Sequence, residues 1–191
     1  MNERSVISKM TEYIVEPKTR NELRTLANLF REKLGLKDCI QFPIVEILDF
    51  MSIKFDDFNY EIVSDAEFPE SIHGDTDILT HKIRIKESVY EGAIKGNGRD
   101  RMTIAHEIGH YFLLCFCGFH FQRNFSNATA PAYMSPEWQA KCFAAELLIS
   151  FHLVQNMTKS EIAEKCGVSS DAASYQYDII HGNSIKRRRR L

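Results

Sequence analysis

The pentapeptide His106-Glu107-Ile108-Gly109-His110 constrains this chain more than any other part of its sequence. Two side chains four residues apart on an α-helix differ by only about 40° in direction, so both imidazoles project from one face and can bind one metal ion. Glu107 projects about 100° from His106, too far for a third ligand on that axis but close enough to act on water beside the metal. The pattern therefore predicts a zinc site of the hydrolytic type, carried by a helix.

The flanking sequence predicts that the pentapeptide lies on a long helix. Asn97-Gly98 can cap and begin a helix, and Asp100 suits the positive end of the helix dipole. We expect this helix to extend over about residues 99–117. Gly109 lowers helix stability by about 1 kcal/mol relative to alanine. Its missing side chain would let a second element approach beside the metal.

A catalytic zinc ion needs three protein ligands and an open position, so a third ligand must come from elsewhere in the chain. The extended motif with a third histidine is excluded, because Leu113 and Phe116 occupy the positions where that motif has glycine and histidine. A carboxylate from a second helix is the main remaining option. Ser135-Pro136 is typical of a helix start, with the serine as N-cap and the proline in the first turn.

Two glutamates on this second helix compete for the role of third ligand. Glu137 and Glu146 are nine residues apart, which places them about 180° apart around the helix axis, so they cannot both face the metal. Glu137 shares its face with Ala140 and Ala144, whose small side chains would allow close approach to the helix that carries the histidines. We therefore predict that Glu137 completes the metal site.

Two segments of the chain carry a family resemblance. They are Arg101–His110, with the sequence RMTIAHEIGH, and Glu137–Leu148, with the sequence EWQAKCFAAELL. Together they resemble the ImmA/IrrE family of zinc metallopeptidases, whose pattern is approximately R-x-T-x-A-H-E-x-G-H followed by E-x-x-A-x-x-F-A-x-x-L-L-x-P. Most of the chain fits this family. The chain departs from the pattern at Ser150, near the position of the final proline, and it has Cys142 in a variable position. Neither difference removes a ligand.

The resemblance implies a small cytoplasmic endopeptidase of bacteria or their mobile elements. Its partner would be a protein substrate, often a helix-turn-helix repressor encoded nearby, whose cleavage releases transcription. In the family the two histidines and the first glutamate of the second motif bind Zn²⁺, which here implies His106, His110 and Glu137 as ligands. The alternatives are a DNA-binding protein, a zinc-stabilised sensor or interaction module, and a toxin-like member of a two-gene pair.

Glu107 is the predicted catalytic residue. In a zinc hydrolase of this type it would accept a proton from the attacking water and return it to the leaving amine. A donor for the developing oxyanion is also expected. His120, Tyr133 and His152 are the polar candidates near the motifs in sequence, and the choice among them stays open.

The sequence before the pentapeptide predicts a scaffold of helices and a small sheet, and hence an α+β fold. Thr19-Arg20-Asn21-Glu22 is a capping box that begins a helix ending at Gly35, and a short helix begins at Pro43. The small sheet is expected to pack beside the helix of the pentapeptide and the second ligand-bearing helix.

Two stretches are predicted to form the strands of that sheet. The first contains Ile53 and Phe55, the second is the alternating segment Lys82–Lys86, and Gly74-Asp75 lies in the turn between them. Such a sheet can bind an extended substrate by strand addition at its edge. We predict that Lys82–Lys86 is the edge strand.

The sequence after residue 156 predicts a helix-turn-helix-like segment. Thr158-Lys159-Ser160-Glu161 is a capping box, Gly167 ends the first helix and Ser169 can cap the second. No lysine or arginine lies between Lys165 and Lys186. Because a recognition helix needs cations for phosphates, direct nucleic-acid binding is not expected.

The predicted organisation is a metallopeptidase domain over 1–156, the helix-turn-helix-like segment over 157–182 and a basic tail over 183–191. The tail contains five of the 24 lysine and arginine residues, which leaves 19 against 26 acidic residues elsewhere. The body of the chain is therefore acidic. The tail is expected to be solvated and disordered, with an acidic or nucleic-acid partner as the alternative.

Composition sets the broad class of the protein. A chain of 191 residues with 44% hydrophobic content can bury one good core. It contains no apolar run long enough for a membrane span or secretory signal, so a cytoplasmic location without a membrane partner is expected. The five cysteines are odd in number and lack C-x-x-C pairs, which favours free thiols over the alternative of a metal or redox pair at Cys115-Phe116-Cys117.

Overall fold

A computed structural model of the protein describes residues 13–116, 122–123 and 131–182. This part of the chain has the predicted α+β fold, with eight α-helices and a three-stranded mixed sheet. The helices are α1 (Arg20–Lys33), α2 (Ile44–Lys54), α3 (Glu87–Ile94), α4 (Gly98–Tyr111), α5 (Pro136–Leu148), α6 (Phe151–Val154), α7 (Lys159–Cys166) and α8 (Ser170–Ile180). The strands are β1 (Tyr13–Ile14), β2 (Asn59–Val63), β3 (Gly74–Asp77), β4 (Lys82–Lys86) and β5 (Gln122–Arg123).

The main sheet has the strand order β2-β4-β3, so the prediction that Lys82–Lys86 is an edge strand is wrong. This strand, β4, pairs in parallel with β2 and antiparallel with β3. Its alternate residues Ile83 and Ile85 are fully buried, as expected for a strand with a neighbour on each side. The edge strand nearest to the helix of the pentapeptide is β3, which packs directly against α4.

The predicted strand at Ile53 and Phe55 is also wrong. Ile53 belongs to helix α2, which begins after Pro43 as predicted, and Phe55 caps its end. The buried residues of α2 recur at helical rather than alternating spacing, and Ile53 itself is 83% exposed. The apolar residues Ile53 and Phe55 lie at the end of a helix, where so short a stretch does not distinguish a helix from a strand.

The turn predicted at Gly74-Asp75 is instead the beginning of β3. The chain reverses later, where Asp77 accepts a hydrogen bond from the Leu79 amide at 2.9 Å and His81 adopts a left-handed backbone conformation with φ of 54°. Glycine at position 74 has a packing reason. A Cβ there would lie 3.0 Å from the Arg84 carbonyl oxygen, a tight contact with the neighbouring strand that glycine avoids.

Helix α1 forms a platform for the site, because it packs against α5, which in turn packs against α4. Its predicted capping box is present, with Thr19 accepting from the Glu22 amide and Glu22 accepting from the Thr19 amide. The helix ends as predicted at Gly35, whose φ of +70° favours glycine. The buried residues Leu23, Ala27 and Phe30 face the core.

Helix α4 begins where the sequence predicts, with the Asn97 side chain accepting a hydrogen bond from the Arg99 amide at 3.0 Å. The α-helix ends at Tyr111, and the chain continues as a π-helical stretch over Phe112–Phe116. At Gly109, an added Cβ would lie 3.1 Å from the Ala140 carbonyl oxygen and 3.3 Å from Phe143. The predicted close approach of a second element is therefore confirmed, and that element is α5.

The helix-turn-helix-like segment consists of α7 and α8, with the predicted caps at Thr158 and Ser169. It docks against the beginning of α4. A Cβ at Gly98 would lie only 2.3 Å from the Val168 backbone carbon, and the Arg101 side chain donates to the Gly167 carbonyl oxygen at 2.9 Å. The basic tail over 183–191 lies outside the described residues.

None of the helices within the described residues combines the length and apolar character that crossing a bilayer requires.

Candidate metal centre

The side chains of His106, His110 and Glu137 converge on one point between α4 and α5. The two histidine Nε2 atoms are 3.1 Å apart. Oε2 of Glu137 lies 3.4 Å from Nε2 of His106, and Oε1 of Glu137 lies 3.1 Å from Nε2 of His110. These three residues form a group that could hold a metal ion. The structure thus brings together the three residues that the sequence predicts as ligands.

The spacing of these atoms fits a small divalent cation. Ligands at two corners of a tetrahedron, each about 2.0–2.1 Å from the metal, are separated by about 3.3 Å. The observed separations of 3.1–3.4 Å fall around that value. The other ring nitrogen of His106, Nδ1, is buried without a hydrogen-bond partner among the described residues. Two imidazole nitrogens and a carboxylate this close together would be stabilised by a shared cation.

The local sequence explains how Glu137 reaches the histidines. Ser135 caps α5, and its hydroxyl accepts a hydrogen bond from the Trp138 amide at 3.4 Å, with Pro136 at the first helical position. Burial alone would raise the pKa of Glu137, but hydrogen bonds and charge from His106 and His110 outweigh it and hold this pKa well below its usual range. Glu137 is therefore ionised and able to bind a cation at neutral pH.

Glu146, the competing glutamate, lies away from the metal centre. Its side chain is fully buried and forms ion pairs with Arg20 at 2.9 Å and Arg24 at 2.8 Å, both from α1. Arg20 also donates to Gln176 on α8 at 2.5 Å. Glu146 therefore joins α5 to α1, and through Arg20 to the C-terminal helices, rather than facing the histidines.

Glu107 is buried beside the metal centre, on the side where β3 crosses α4. Its Oε2 accepts a hydrogen bond from the Thr76 hydroxyl at 2.7 Å, and a Cβ at Gly74 would lie 3.3 Å from its Cγ. Burial raises the pKa of Glu107, while the charge of His106 and the Thr76 hydrogen bond act in the opposite direction. A carboxyl group with a raised pKa is better matched to accepting and releasing a proton near neutral pH.

An open cleft of about 750 Å³ contains the metal centre. Its walls come from α4, α5, α8 and the residues that lead into β3. From α8 the cleft is lined by Ala172 and Tyr175, and from the β3 side by Ile72, His73 and Gly74. The C-terminal helix pair therefore forms one wall of the cleft in which the predicted site lies.

The three candidate oxyanion donors have different outcomes. His120 lies outside the described residues. Tyr133 and His152 do not line the cleft. Tyr133 is 47% exposed. In His152, Nδ1 is 2.8 Å from the Ser150 hydroxyl and Nε2 is 3.6 Å from Asp38. Neither is positioned to contact a group bound between the histidines.

Sequence reasoning missed several residues that surround the site. Thr76 was not predicted, because it lies 31 residues before its partner Glu107. In addition, the sequence predicts a turn at Gly74-Asp75, where the structure has the beginning of strand β3. Arg99 and Lys141 also line the cleft. Helical phase could have found both, since Arg99 is two turns before His106 and Lys141 is one turn after Glu137.

Three of the five cysteines are shown as free thiols. Cys39, Cys142 and Cys166 are free thiols, in agreement with the prediction, and burial raises the pKa of both Cys142 and Cys166 to about 11. Such thiols are unreactive at neutral pH. Cys117, and with it the alternative of a cysteine pair, lies outside the described residues.

Comparisons with known proteins give a fold but no family. No family model matches the chain, and no curated protein is significantly similar in sequence. Among solved structures, it resembles a Mycobacterium tuberculosis transcriptional regulator with a TM-score of 0.56 and 11% sequence identity, over 83% of this chain and 46% of that one. The chain thus spans less than half the length of that regulator, and at this identity the likeness concerns the fold alone.

Proposed function

We propose that the protein is a zinc-dependent endopeptidase. The observation that carries the proposal is the convergence of His106, His110 and Glu137 beside the buried carboxyl group of Glu107, inside an open cleft. Three protein ligands with solvent access on the remaining side are typical of catalytic rather than structural zinc sites. A purely structural site would have no use for a fourth, buried acid held by its own hydrogen bond.

Zinc is the metal that we propose for this set of ligands. Two imidazoles and one carboxylate suit a borderline metal better than Mg²⁺ or Ca²⁺, which prefer six or more oxygen ligands. When bound, Zn²⁺ acts as a Lewis acid that lowers the pKa of water and polarises a carbonyl group.

Glu107 has the position and environment of the general base. Its carboxylate would accept one proton of the attacking water and then deliver it to the nitrogen of the leaving amine, while the hydroxyl of that water joins the carbonyl carbon. The C–N bond then breaks to give a carboxylic acid and an amine. Thr76 fixes the carboxylate by donating to Oε2, which leaves Oε1 to exchange the proton. Burial of Glu107 keeps bulk water from competing for this proton.

The edge strand β3 is our proposed docking element for the substrate backbone. Lys82–Lys86, the strand first expected to do this, is central and has no free edge. The chain segment from Ser71 to Gly74, which enters β3, lines the cleft beside Glu107. An extended peptide added along this segment would pass the metal centre with its backbone paired and its side chains directed alternately to either side.

The protein substrate follows from the family resemblance. The R-x-T-x-A-H-E-x-G-H and E-x-x-A-x-x-F-A motifs resemble those of ImmA/IrrE metallopeptidases, and they supply the four residues of the site. On this basis we propose a cytoplasmic bacterial enzyme that cuts a helix-turn-helix repressor encoded nearby. Direct DNA binding is less favoured, because α8 carries no lysine or arginine and one of its sides faces the cleft.

Incubation of the purified, zinc-loaded protein with the repressor encoded beside its gene tests the function. We expect one new amino terminus, identified by mass spectrometry, and no cleavage after the metal is removed with a chelator. Cleavage that persists without metal would refute a metallopeptidase. A metal-loaded protein that leaves the repressor intact, together with other proteins from neighbouring genes, would favour the sensor or toxin alternatives.

Replacing Thr76 by valine tests the role of the strand in positioning the base. Valine removes the donor that stabilises the ionised form of Glu107, so the pKa of Glu107 rises further. Because the base must be ionised to act, we expect the fall in the hydrolysis rate on the acidic side of the pH profile to occur at higher pH. The rate of hydrolysis at neutral pH is then reduced. Thr80→Val, at a neighbouring exposed position in the following turn, serves as the control. An unchanged acidic limb would show that Thr76 does not hold the base.

A further inference from the structure

The cleft contains two positively charged side chains that the proposed chemistry does not use. Arg99, from the first turn of α4, and Lys141, from α5, both line the cleft and are exposed. Neither forms an ion pair within the described ranges. Arg20 also lines the cleft, but it differs from them because its guanidinium already donates hydrogen bonds to Glu146 and Gln176.

The acidic residues of the cleft belong to the candidate metal centre itself, as its proposed base and its third ligand. Among the residues that the structure describes, the lining contains two carboxylates, and these are Glu107 and Glu137. A divalent cation bound by Glu137 would neutralise this negative charge and leave Arg99 and Lys141 as a surplus of positive charge. The contrast with the rest of the chain is strong, because the body outside the basic tail has 19 basic against 26 acidic residues. A cationic cleft in an acidic body concentrates anionic ligands.

Helical geometry gives the separation, along the helix axis, of each cationic residue from a candidate ligand on the same helix. Arg99 lies seven residues before His106, so it projects from nearly the same face at a distance of about 10 Å along the helix axis. Lys141 lies four residues after Glu137, about 6 Å along its own helix. An extended peptide advances about 3.3 Å per residue. The two cations therefore lie within reach of side chains about two to three residues from a peptide bond placed at the metal.

We infer that the cleft selects peptides with acidic side chains two or three residues from the bond to be cut, and that Arg99 and Lys141 are the residues that recognise them. This inference rests on the proposed endopeptidase function and adds the charge of the substrate. Arg99 offers a planar fork of donors for a carboxylate, and Lys141 a mobile point charge. Both are specificity-determining residues rather than catalytic ones.

Binding of three fluorescent peptides tests the inference. They are ten-residue peptides with blocked ends and a central Leu-Ala pair, identical except for Asp, Asn or Lys at the positions two and three residues from the central bond. Fluorescence anisotropy measures their binding to the zinc-loaded Glu107→Gln protein, which holds the metal without cutting. Because one exposed charge pair contributes up to about fivefold in affinity, we expect the Asp peptide to bind up to about twenty-fold more tightly than the Asn peptide.

Matched variants assign the preference to its residues. In the same protein, Arg99→Gln and Lys141→Gln are each expected to reduce the preference about fivefold, and the double substitution to abolish it. Lys54→Gln, which removes an exposed positive charge at the end of α2 outside the cleft, should leave it unchanged. The zinc content of each variant, measured in parallel, shows whether the metal centre is intact.

The outcomes separate this inference from the proposed function. Equal binding of the Asp and Asn peptides, binding of none of the three, or a preference that survives the double substitution would each overturn the charge selectivity. The wild-type protein is tested separately for hydrolysis of the peptides and of the repressor. Charge-selective binding without any hydrolysis would refute the endopeptidase and leave the recognition of acidic peptides standing.

Discussion

Replacement of Glu107 by glutamine is expected to reduce repressor cleavage by about 10²–10⁴-fold, the usual contribution of a general base. Glutamine has nearly the same shape as glutamate and retains an oxygen that can accept the hydrogen bond from Thr76. It cannot take up the proton of the attacking water. The metal ligands are untouched, so zinc content should remain at the wild-type level while turnover is lost.

Single-turnover cleavage of the repressor, followed by gel electrophoresis and mass spectrometry, measures this effect. Thermal unfolding in parallel shows whether the variant is folded. Glu91→Gln, an exposed change on α3, is a suitable control and should cleave at the wild-type rate. Cleavage at an undiminished rate by folded Glu107→Gln protein would exclude Glu107 as the base and move that role to another group in the cleft.

Replacement of Glu137 by glutamine is expected to weaken zinc binding at least about a hundredfold, since even the loss of an outer partner of a metal ligand costs about 10–100-fold. The wild-type protein should gain about 3 kcal/mol of stability when free zinc is at a hundred times its dissociation constant. For a chain of this size that gain corresponds to roughly 5–10 °C in melting temperature. The variant should lose most of this increase at the same zinc concentration.

Glu146→Gln is the matched control, because it makes the same chemical change on the opposite side of the same helix. Here the loss falls on the ion pairs with Arg20 and Arg24, both of which are partly exposed. We expect the zinc-free protein to lose about 1–3 kcal/mol of stability. Its zinc affinity should be unchanged, measured by competition with a chromophoric chelator. If Glu146→Gln lost zinc and Glu137→Gln kept it, the assignment of the two glutamates would be reversed.

The helices around the site could be predicted from sequence because their signals are local. Asn97 and Ser135 cap the two helices as expected, and helical phase alone separates Glu137 from Glu146. Phase works here because both glutamates lie on one uninterrupted helix, where nine residues fix their relative direction. The close packing at Gly109 followed from the absence of a side chain beside the two histidines.

The sheet and the walls of the cleft could not be predicted, because they depend on contacts between distant parts of the chain. Lys82–Lys86 alternates like a strand with one covered face, yet it is central, and only the pairing partners on both sides reveal this. Thr76 meets Glu107 through the packing of a strand on a helix. Likewise, nothing in the sequence of α8 indicates that Tyr175 faces the cleft.

The contact at Gly109 makes the separation of the two helices a determinant of how closely the three candidate ligands approach one another. The α5 backbone lies about as close to α4 as a residue without a side chain permits, and Glu137 is one turn from that contact. The ligand atoms of His106, His110 and Glu137 are only 3.1–3.4 Å apart, although the two histidines and the glutamate come from opposite sides of this contact. A larger residue at position 109 would push the helices apart and draw Glu137 away from the two histidines. Backbone contact, rather than the ligand residues themselves, thus sets the width of the triad.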